Sequence, residues 1–180
     1  MRRILQYIAR TKDRGITYGG QEAEIEMTAY ADSDHATCLD TRRSVSGGAV
    51  LLGGGAISWF SRTQRVTATG TSESEYVALW EGITEVLFLR QVQEFVSPTI
   101  NDYSVIVNED NQGAIKMANN KFSSKRTRHI DVKHHAIRDA VEEGKVKVEY
   151  VVTEEQHADV LTKALAAQKF EKHVMFLMNE

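Results

Sequence analysis

The pattern of apolar and polar positions divides this chain into short strands and amphipathic helices. Apolar residues recur at helical spacing over residues 2–10, and the pattern breaks at Gly19 and Gly20. Three strand-like runs punctuated by glycine turns follow, an arrangement that favours antiparallel pairing. The predicted strands are residues 25–33, Val45–Leu52 and Ala56–Ser61.

The rest of the chain alternates helices with two further strands. An apolar stripe predicts a helix from about Thr71 to Phe95, with Thr71 or Ser72 as its N-cap. The later elements predict an α/β or α+β fold, a mixed sheet of about five strands with helices on its faces. These elements are strands at 103–108 and 146–152, helices at 111–119, 130–141 and 154–165, and an apolar tail at 170–178.

Composition limits the function without indicating one. A chain of 180 residues that is 42% apolar suits one domain with a real core. The net charge of −3 gives no general attraction for nucleic acid, so such a site would need local charge. Cys38 is the only cysteine, which fits a reducing compartment. The sequence contains no apolar run typical of a signal or membrane span, so we expect a cytoplasmic or nuclear protein that is not secreted.

Four carboxylates fall at the ends of predicted elements. Asp32 lies late in the first strand, Glu75 in the first turn of the long helix, Asp110 after the fourth strand and Asp159 early in a later helix. If the first and fourth strands are neighbours, Asp32 and Asp110 converge at one edge of the sheet. Ordinary interpretations stand beside this one: helix-start acids that complement the dipole, a helix cap, or solvated loop carboxylates including Asp34.

Converging carboxylates would need a counter-charge, because their mutual repulsion raises their pKa values. Oxygen-only ligand sets suit Mg²⁺ or Mn²⁺, which also bridge substrate phosphates. Two such ions roughly 4 Å apart can activate water and stabilise the leaving oxygen of a phosphodiester. The carboxylates therefore point to phosphodiester chemistry if they meet.

Residues around the four carboxylates offer contacts for such a substrate. Thr71, Ser72, Asn111 and Gln112 flank them and are candidates to bind sugar hydroxyls, the groups that distinguish RNA from DNA. A run of cations is usually a solvated helix face, but beside a carboxylate rim we interpret it as a phosphate-binding track. That run contains Lys121, Lys125, Arg126, Arg128, Lys133 and Arg138. Both tryptophans, Trp59 and Trp80, are expected in the core.

Seven short motifs follow one another in a set order, and each is weak alone. They are Tyr-Ala-Asp-Ser-Asp (30–34), Arg-Arg-Ser-Val-Ser-Gly (42–47), Ile-Ser-Trp-Phe-Ser-Arg-Thr-Gln (57–64), Thr-Ser-Glu-Ser-Glu-Tyr-Val-Ala-Leu (71–79), Glu-Asp-Asn-Gln-Gly-Ala-Ile (109–115), Arg-Thr-Arg-His-Ile-Asp-Val-Lys-His-His-Ala-Ile-Arg (126–138) and Gln-His-Ala-Asp-Val-Leu-Thr-Lys (156–163). The ordered set resembles the ribonuclease H domain of copia-type (Ty1-like) LTR retrotransposon polyproteins. The resemblance covers nearly the whole chain.

The resemblance implies a ribonuclease H-like fold and a metal quartet of Asp32, Glu75, Asp110 and Asp159 that binds two Mg²⁺ or Mn²⁺ ions. It implies an endonuclease that cleaves the RNA strand of RNA–DNA hybrids and leaves 5′-phosphate and 3′-hydroxyl ends. Within the basic run described above, Lys125, Arg126 and Arg128 are the residues that we expect to contact substrate phosphates.

The resemblance also implies a division of the chain. Residues 1–22 are similar to the segment that follows the reverse transcriptase, residues 23–166 form the ribonuclease H-like domain, and 167–180 form a helical tail. The reverse transcriptase domain of the same polyprotein is thus an expected partner, and no membrane is expected.

Several positions depart from the family's usual pattern, among them Gly70 and Ser74 near Glu75. The loop at residues 152–156 lacks the histidine that many cellular ribonucleases H place there, although Thr153 lies in it and His157 follows. Asp34 is additional to the quartet, and we assign Asp34 and His157 possible supporting roles. An alternative function is a catalytically weak or silent module that binds hybrid or a polymerase.

Overall fold

A mixed sheet of five strands, in the order β3-β2-β1-β4-β5, forms the centre of the fold. A computed structural model of the chain describes residues 2–19, 26–98, 103–119 and 131–180, without the side chains of 131–135. The strands are β1 (Thr28–Asp34), β2 (Val45–Leu52), β3 (Gly55–Thr63), β4 (Val105–Glu109) and β5 (Val146–Tyr150). The described helices are α1 (Arg2–Thr11), α2 (Thr71–Val96), α3 (Gln112–Asn119), α4 (Asp131–Glu142), α5 (Asp159–Thr162) and α6 (Ala167–Met178), with a 3₁₀ turn at Thr153–Glu155.

The pairing of the strands follows the predicted order. The first three strands form an antiparallel meander, whereas β4 pairs in parallel with both β1 and β5. The condition that the first and fourth strands are neighbours is therefore met, and the carboxyl ends of β1 and β4 point to the same edge of the sheet.

Helix α2 covers one face of the sheet and builds the larger core. Its buried residues include Tyr76, Leu79, Ile83 and Val86, spaced three or four apart so that they share a face. Gly82 allows a close approach, because a Cβ there would lie 3.2 Å from the Cβ of Ala31 in β1. The start of α2 is thereby fixed beside the end of β1.

The opposite face carries α5 and α6. Leu177 of α6 packs with Tyr30, Ala49 and Ala56 of the first three strands in a second core cluster. Helix α1 contacts this layer through an edge-to-face pair of Tyr7 with Phe170, whose ring centroids lie 5.7 Å apart. None of the described helices is long and apolar enough to cross a membrane.

Three local predictions are wrong. Gly70, rather than Thr71 or Ser72, is the N-cap of α2, and it makes no side-chain cap bond. Trp59 is 59% exposed because it lies on the edge strand β3, where one side of the sheet has little cover, whereas Trp80 is partly buried against the core as expected.

The helix predicted at 154–165 is divided into the 3₁₀ turn and the single turn of α5. The division occurs at Gln156, whose fully buried side chain donates hydrogen bonds to the sheet. Part of the basic run, Lys121, Lys125, Arg126 and Arg128, lies outside the described residues, as does the side chain of Lys133.

Candidate metal centre

Three carboxylates from distant parts of the chain converge at the end of the sheet. Asp32 comes from β1, Glu75 from the first turn of α2, and Asp110 directly follows β4. One carboxylate oxygen from each lies within 4.8 Å of the others. Asp32 and Glu75 are buried, whereas Asp110 is partly exposed. The three side chains therefore form a pocket of oxygen ligands that opens to solvent on the Asp110 side.

A fork between β1 and β4 creates the space for these carboxylates. The parallel ladder of the two strands ends at the pair Tyr30 and Asn108. Beyond it, Nε2 of Gln156 donates to the carbonyl oxygens of Ala31, at 2.9 Å, and of Asn108, at 3.4 Å. A side-chain amide thus takes the place of the next backbone pairing and fixes the distance between the strand ends.

Glu75 is held by the strand that it faces. The backbone N–H of Ser33 donates to Oε2 of Glu75 across 2.7 Å, and the Ser33 hydroxyl donates to that of Ser74 across 2.9 Å. Small side chains at the start of α2 permit this close contact. Glu75 is consequently oriented before any ligand binds.

The pKa values record how much negative charge is concentrated here. Burial raises the pKa of Asp32 to about 6, with Asp159 and Asp110 adding to it and Lys163 and Thr162 opposing it. Burial raises the pKa of Glu75 to about 9, and the charges of Asp32 and Asp110 add to the effect. Burial and the neighbouring negative charges therefore favour the protonated form of Glu75. An all-carboxylate donor set whose pKa values are raised despite the nearby Lys163 fits a hard divalent cation such as Mg²⁺ or Mn²⁺.

Asp159 lies apart from this group of three but is linked to it. It begins α5, is buried, and accepts an ion pair from Nζ of Lys163 at 2.9 Å. The same Nζ lies 3.5 Å from Oδ1 of Asp32, whose other oxygen accepts a hydrogen bond from the Thr162 hydroxyl. The fourth predicted carboxylate is thus joined to the first through a lysine.

Glu109 is a fifth carboxyl group that the sequence reasoning missed. Its side chain is fully buried, and Oε1 accepts the backbone N–H of Asn111 at 2.9 Å. Oε2 has no hydrogen-bond partner among the described residues. Burial, and after it the charge of Glu75, raises the pKa of Glu109 well above its usual value. Strand alternation was the available signal, since Val105, Val107 and Glu109 share one buried face of β4.

The predicted sugar-binding residues lie around the opening of the cluster. The Ser72 hydroxyl donates to Oδ1 of Asn111 at 3.2 Å, and the same oxygen accepts the backbone N–H of Ala114 at 3.0 Å, which caps α3. Thr71 and Gln112 begin their helices and are exposed. The starts of α2 and α3 therefore meet beside the carboxylates.

The two predicted supporting residues lie in different surroundings. Asp34 ends β1 opposite Val45, is partly exposed, and does not belong to the group of three carboxylates. His157 is buried and stacks on Phe176 with ring centroids 3.6 Å apart, and its Nδ1 lies 3.1 Å from Nδ1 of His173. Burial and the charge of His173 lower the pKa of His157 to about 4. The described ring contacts of His157 thus hold α6 on the sheet.

Comparison with known proteins identifies homologues of the chain. It is 36% identical over 168 residues to the retrovirus-related Pol polyprotein from transposon TNT 1-94 of Nicotiana tabacum, and 32% identical over 171 residues to that from transposon RE2 of Arabidopsis thaliana. Homologues of this chain are retrovirus-related Pol polyproteins from plant copia-type transposons. These matches cover 93% and 95% of the chain but 12% of each polyprotein. No protein-family model matches the chain.

Solved structures show which fold this chain adopts. The chain superposes on the N-terminal RNase H domain of rv2228c from Mycobacterium tuberculosis with a TM-score of 0.54 and 12% identity, over 84% of this chain and 98% of that one. LC11-RNase H1 in complex with RNA/DNA hybrid gives a TM-score of 0.54 and 15% identity, over 83% and 99%. The predicted ribonuclease H fold is therefore confirmed in this homologue of Pol polyproteins.

Proposed function

We propose that the chain is an endoribonuclease that hydrolyses the RNA strand of RNA–DNA hybrids during retrotransposon reverse transcription. The supporting observation is the convergence of Asp32, Glu75 and Asp110 at one end of a ribonuclease H-like sheet. Homology to Pol polyproteins and the fold of hybrid-binding relatives agree with this function.

The ions in this proposal are two Mg²⁺ or Mn²⁺. Asp32, Glu75 and Asp110 would hold one, and Asp159 would join Asp32 at the other. When bound, divalent ions of this kind lower the pKa of an attacking water and stabilise the leaving oxygen of a phosphodiester. The raised pKa values of Asp32 and Glu75 support such binding, since a cation would compensate charge that now repels.

The chain's own residues orient both the ligands and the substrate. The backbone N–H of Ser33 fixes Glu75, which must give up its proton before it can act as an anionic ligand. Ser72 and Asn111, with Thr71 and Gln112 beside them, would meet the sugar hydroxyls of the RNA strand. Lys125, Arg126 and Arg128 stay predicted phosphate contacts outside the described residues.

We also propose a partner and a cellular compartment for the chain. The partner is the reverse transcriptase domain of the same polyprotein, and the compartment is the cytoplasm or the nucleus. The division into residues 1–22, 23–166 and 167–180 stays a prediction.

A weak or silent hybrid-binding module is the second candidate function. The ion pairs of Lys163 with Asp32 and Asp159 favour it, because a cation of the protein lies where the second metal ion is expected.

Incubation of the chain with an end-labelled RNA–DNA hybrid and Mg²⁺ tests the proposal. We expect cleavage products with 5′-phosphate and 3′-hydroxyl ends, and no cleavage by Asp110→Asn. Asp139→Asn, at an exposed position of α4, is the matched control and should cleave as the parent does. Hybrid that is bound but uncleaved would support the silent module. Cleavage that survives Asp110→Asn would overturn the assigned carboxylate site.

A further inference from the structure

Lys163 differs from the other described lysines in ion pairs. Lys145, Lys147 and Lys172 pair with glutamates that are 38–55% exposed. Lys163 instead places Nζ 2.9 Å from Oδ1 of Asp159 and 3.5 Å from Oδ1 of Asp32, and the side chains of these partners are 8% and 1% exposed. A single ammonium group is therefore shared between two buried carboxylates.

The ammonium remains charged in this position. Burial alone would lower the pKa of Lys163, but the charge of Asp32 and the hydrogen bond to Asp159 raise it above its usual value. The lysine therefore supplies a permanent positive charge between two proposed metal ligands. A cation that binds the same oxygens must displace the ammonium, and the free energy of the ammonium contact is then lost.

The side chain has a route out of the site. Lys163 is the C-cap of α5, where its backbone N–H bonds to the Asp159 carbonyl, so its main chain stays anchored when the side chain rotates. The side chain is 33% exposed, and a lysine stem is long, flexible and easily extended into water. Thr162 keeps its hydrogen bond to the other oxygen of Asp32, so this carboxylate stays oriented if the ammonium leaves.

We propose that Lys163 is a positioning residue that occupies the Asp32–Asp159 half of the site in the ion-free protein and competes with a divalent cation for these two carboxylates. This inference rests on the proposed function, because that function makes Asp32 and Asp159 metal ligands. Binding of an ion between them displaces the ammonium towards solvent. Lys163 thus preserves the arrangement of the carboxylates and sets the ion concentration at which the site fills.

The variant Lys163→Met tests the competition through binding of Mg²⁺ and Mn²⁺ measured by calorimetry. Removing one unit charge at this distance should lower the dissociation constant roughly tenfold. The corresponding free energy lies between the interaction energies of two unit charges in water and near a protein surface. Lys147→Met removes the same net charge from an exposed ion pair with Glu149 and should leave the dissociation constant unchanged. Equal or weaker binding by Lys163→Met would overturn the proposal.

Thermal unfolding gives a second readout. In EDTA, Lys163→Met should unfold at a lower temperature than the parent, because two buried carboxylates lose their cation. Its gain in melting temperature on adding Mg²⁺ should exceed that of the parent, and an equal gain would contradict the competition. If Lys163→Met does not fold without metal, Lys163→Arg keeps the charge and should bind Mg²⁺ no more tightly than the parent. Tighter binding by Lys163→Arg would overturn the proposal.

None of these readouts measures cleavage of the hybrid. A parent chain that binds Mg²⁺ but leaves hybrid intact would contradict the proposed function and leave the role of Lys163 standing. A parent chain that cleaves hybrid, with a Lys163→Met variant whose affinity for Mg²⁺ is unchanged, would contradict the role of Lys163 alone.

Discussion

The hydroxyl of Thr153 donates a hydrogen bond to Oδ2 of Asp110 across 2.7 Å. Thr153 begins the 3₁₀ turn after β5, in the loop where many cellular ribonucleases H have a histidine. The turn therefore contacts the cluster through a small neutral donor. This bond fixes one oxygen of Asp110, which is the most exposed of the three converging carboxylates.

We predict that Thr153→Val weakens metal binding and also lowers the free energy of unfolding. Valine keeps the shape of threonine but cannot donate, and a hydrogen bond to a charged group contributes about 1.5–3 kcal/mol. Because Thr153 is exposed, we expect the lower end of that range, a rise of roughly tenfold in the dissociation constant for Mg²⁺ measured by calorimetry. Thr84→Val, which removes an exposed hydroxyl bonded to a backbone carbonyl of α2, should leave that constant unchanged.

The pKa of Glu75 predicts how stability depends on pH without metal. Its pKa of about 9 in the folded chain exceeds the usual 4.5, so the folded state binds more protons and stability falls as the pH rises between these values. His157 and His173 have lowered pKa values and act in the opposite direction below about pH 6.5. The histidines no longer contribute between pH 7 and 9, and comparison with Glu75→Gln separates Glu75 there from Glu109, whose pKa is also raised.

In that window the melting temperature in EDTA should fall with rising pH for the parent and much less for Glu75→Gln. Saturating Mg²⁺ should reduce the fall in the parent, because a bound cation favours the ionised carboxyl. Parallel pH profiles for parent and variant in EDTA would show that Glu75 ionises normally.

Gly47 of β2 is predicted to be essential for the position of α5. A Cβ there would lie 2.6 Å from Cγ2 of Thr162 and 2.9 Å from Cβ of Leu161. Gly47→Ala should therefore displace α5, lower the free energy of unfolding by about 1–3 kcal/mol and weaken Mg²⁺ binding. Gly15→Ala, with no atom within 4 Å of the added group, is the control for urea unfolding. A fully stable Gly47→Ala variant with normal Mg²⁺ binding would mean that α5 can move without consequence.

Glu109 should tolerate glutamine but not alanine. Burial raises the pKa of Glu109 well above its usual value and so favours the neutral form, which glutamine resembles, and glutamine can still accept the N–H of Asn111. Glu109→Ala leaves that N–H without its partner and removes buried packing, so we expect a loss of about 2–4 kcal/mol in urea unfolding at pH 7. Equal losses in both variants would show that glutamine cannot replace the carboxyl group.

Local sequence patterns predicted the sheet well because they act over a few residues. Alternation in β1 and β4, together with the parallel pairing of these strands, places Asp32 and Asp110 at one edge as expected. The division at Gln156 had no such signal, since its partner, the carbonyl of Ala31, lies 125 residues away. Exposure of Trp59 likewise depends on which strand lies at the edge of the sheet.

The sequence predicted which residues belong to the candidate site better than it predicted the contacts between them. Asp32, Glu75 and Asp110 meet, whereas Asp159 reaches Asp32 through Lys163, a pairing that the sequence shows only as an i,i+4 spacing. The catalytic roles of all four stay predictions.

The fork held by Gln156 has a consequence for the order of assembly. Its amide reaches Ala31 over 125 residues, and the Thr162 hydroxyl reaches Asp32 over 130. Contacts between such distant residues carry a large loop-closure cost and tend to form late. During synthesis, the β1–β3 meander can therefore form before the groups that complete the carboxylate cluster exist. A product that ended before Gln156 would retain Asp32, Glu75 and Asp110 but would lack the amide that bonds to Ala31 and Asn108 and the ammonium that pairs with Asp32. We therefore expect proteolysis just after β5 to disturb the spacing of the carboxylates although the residues of all five strands are retained.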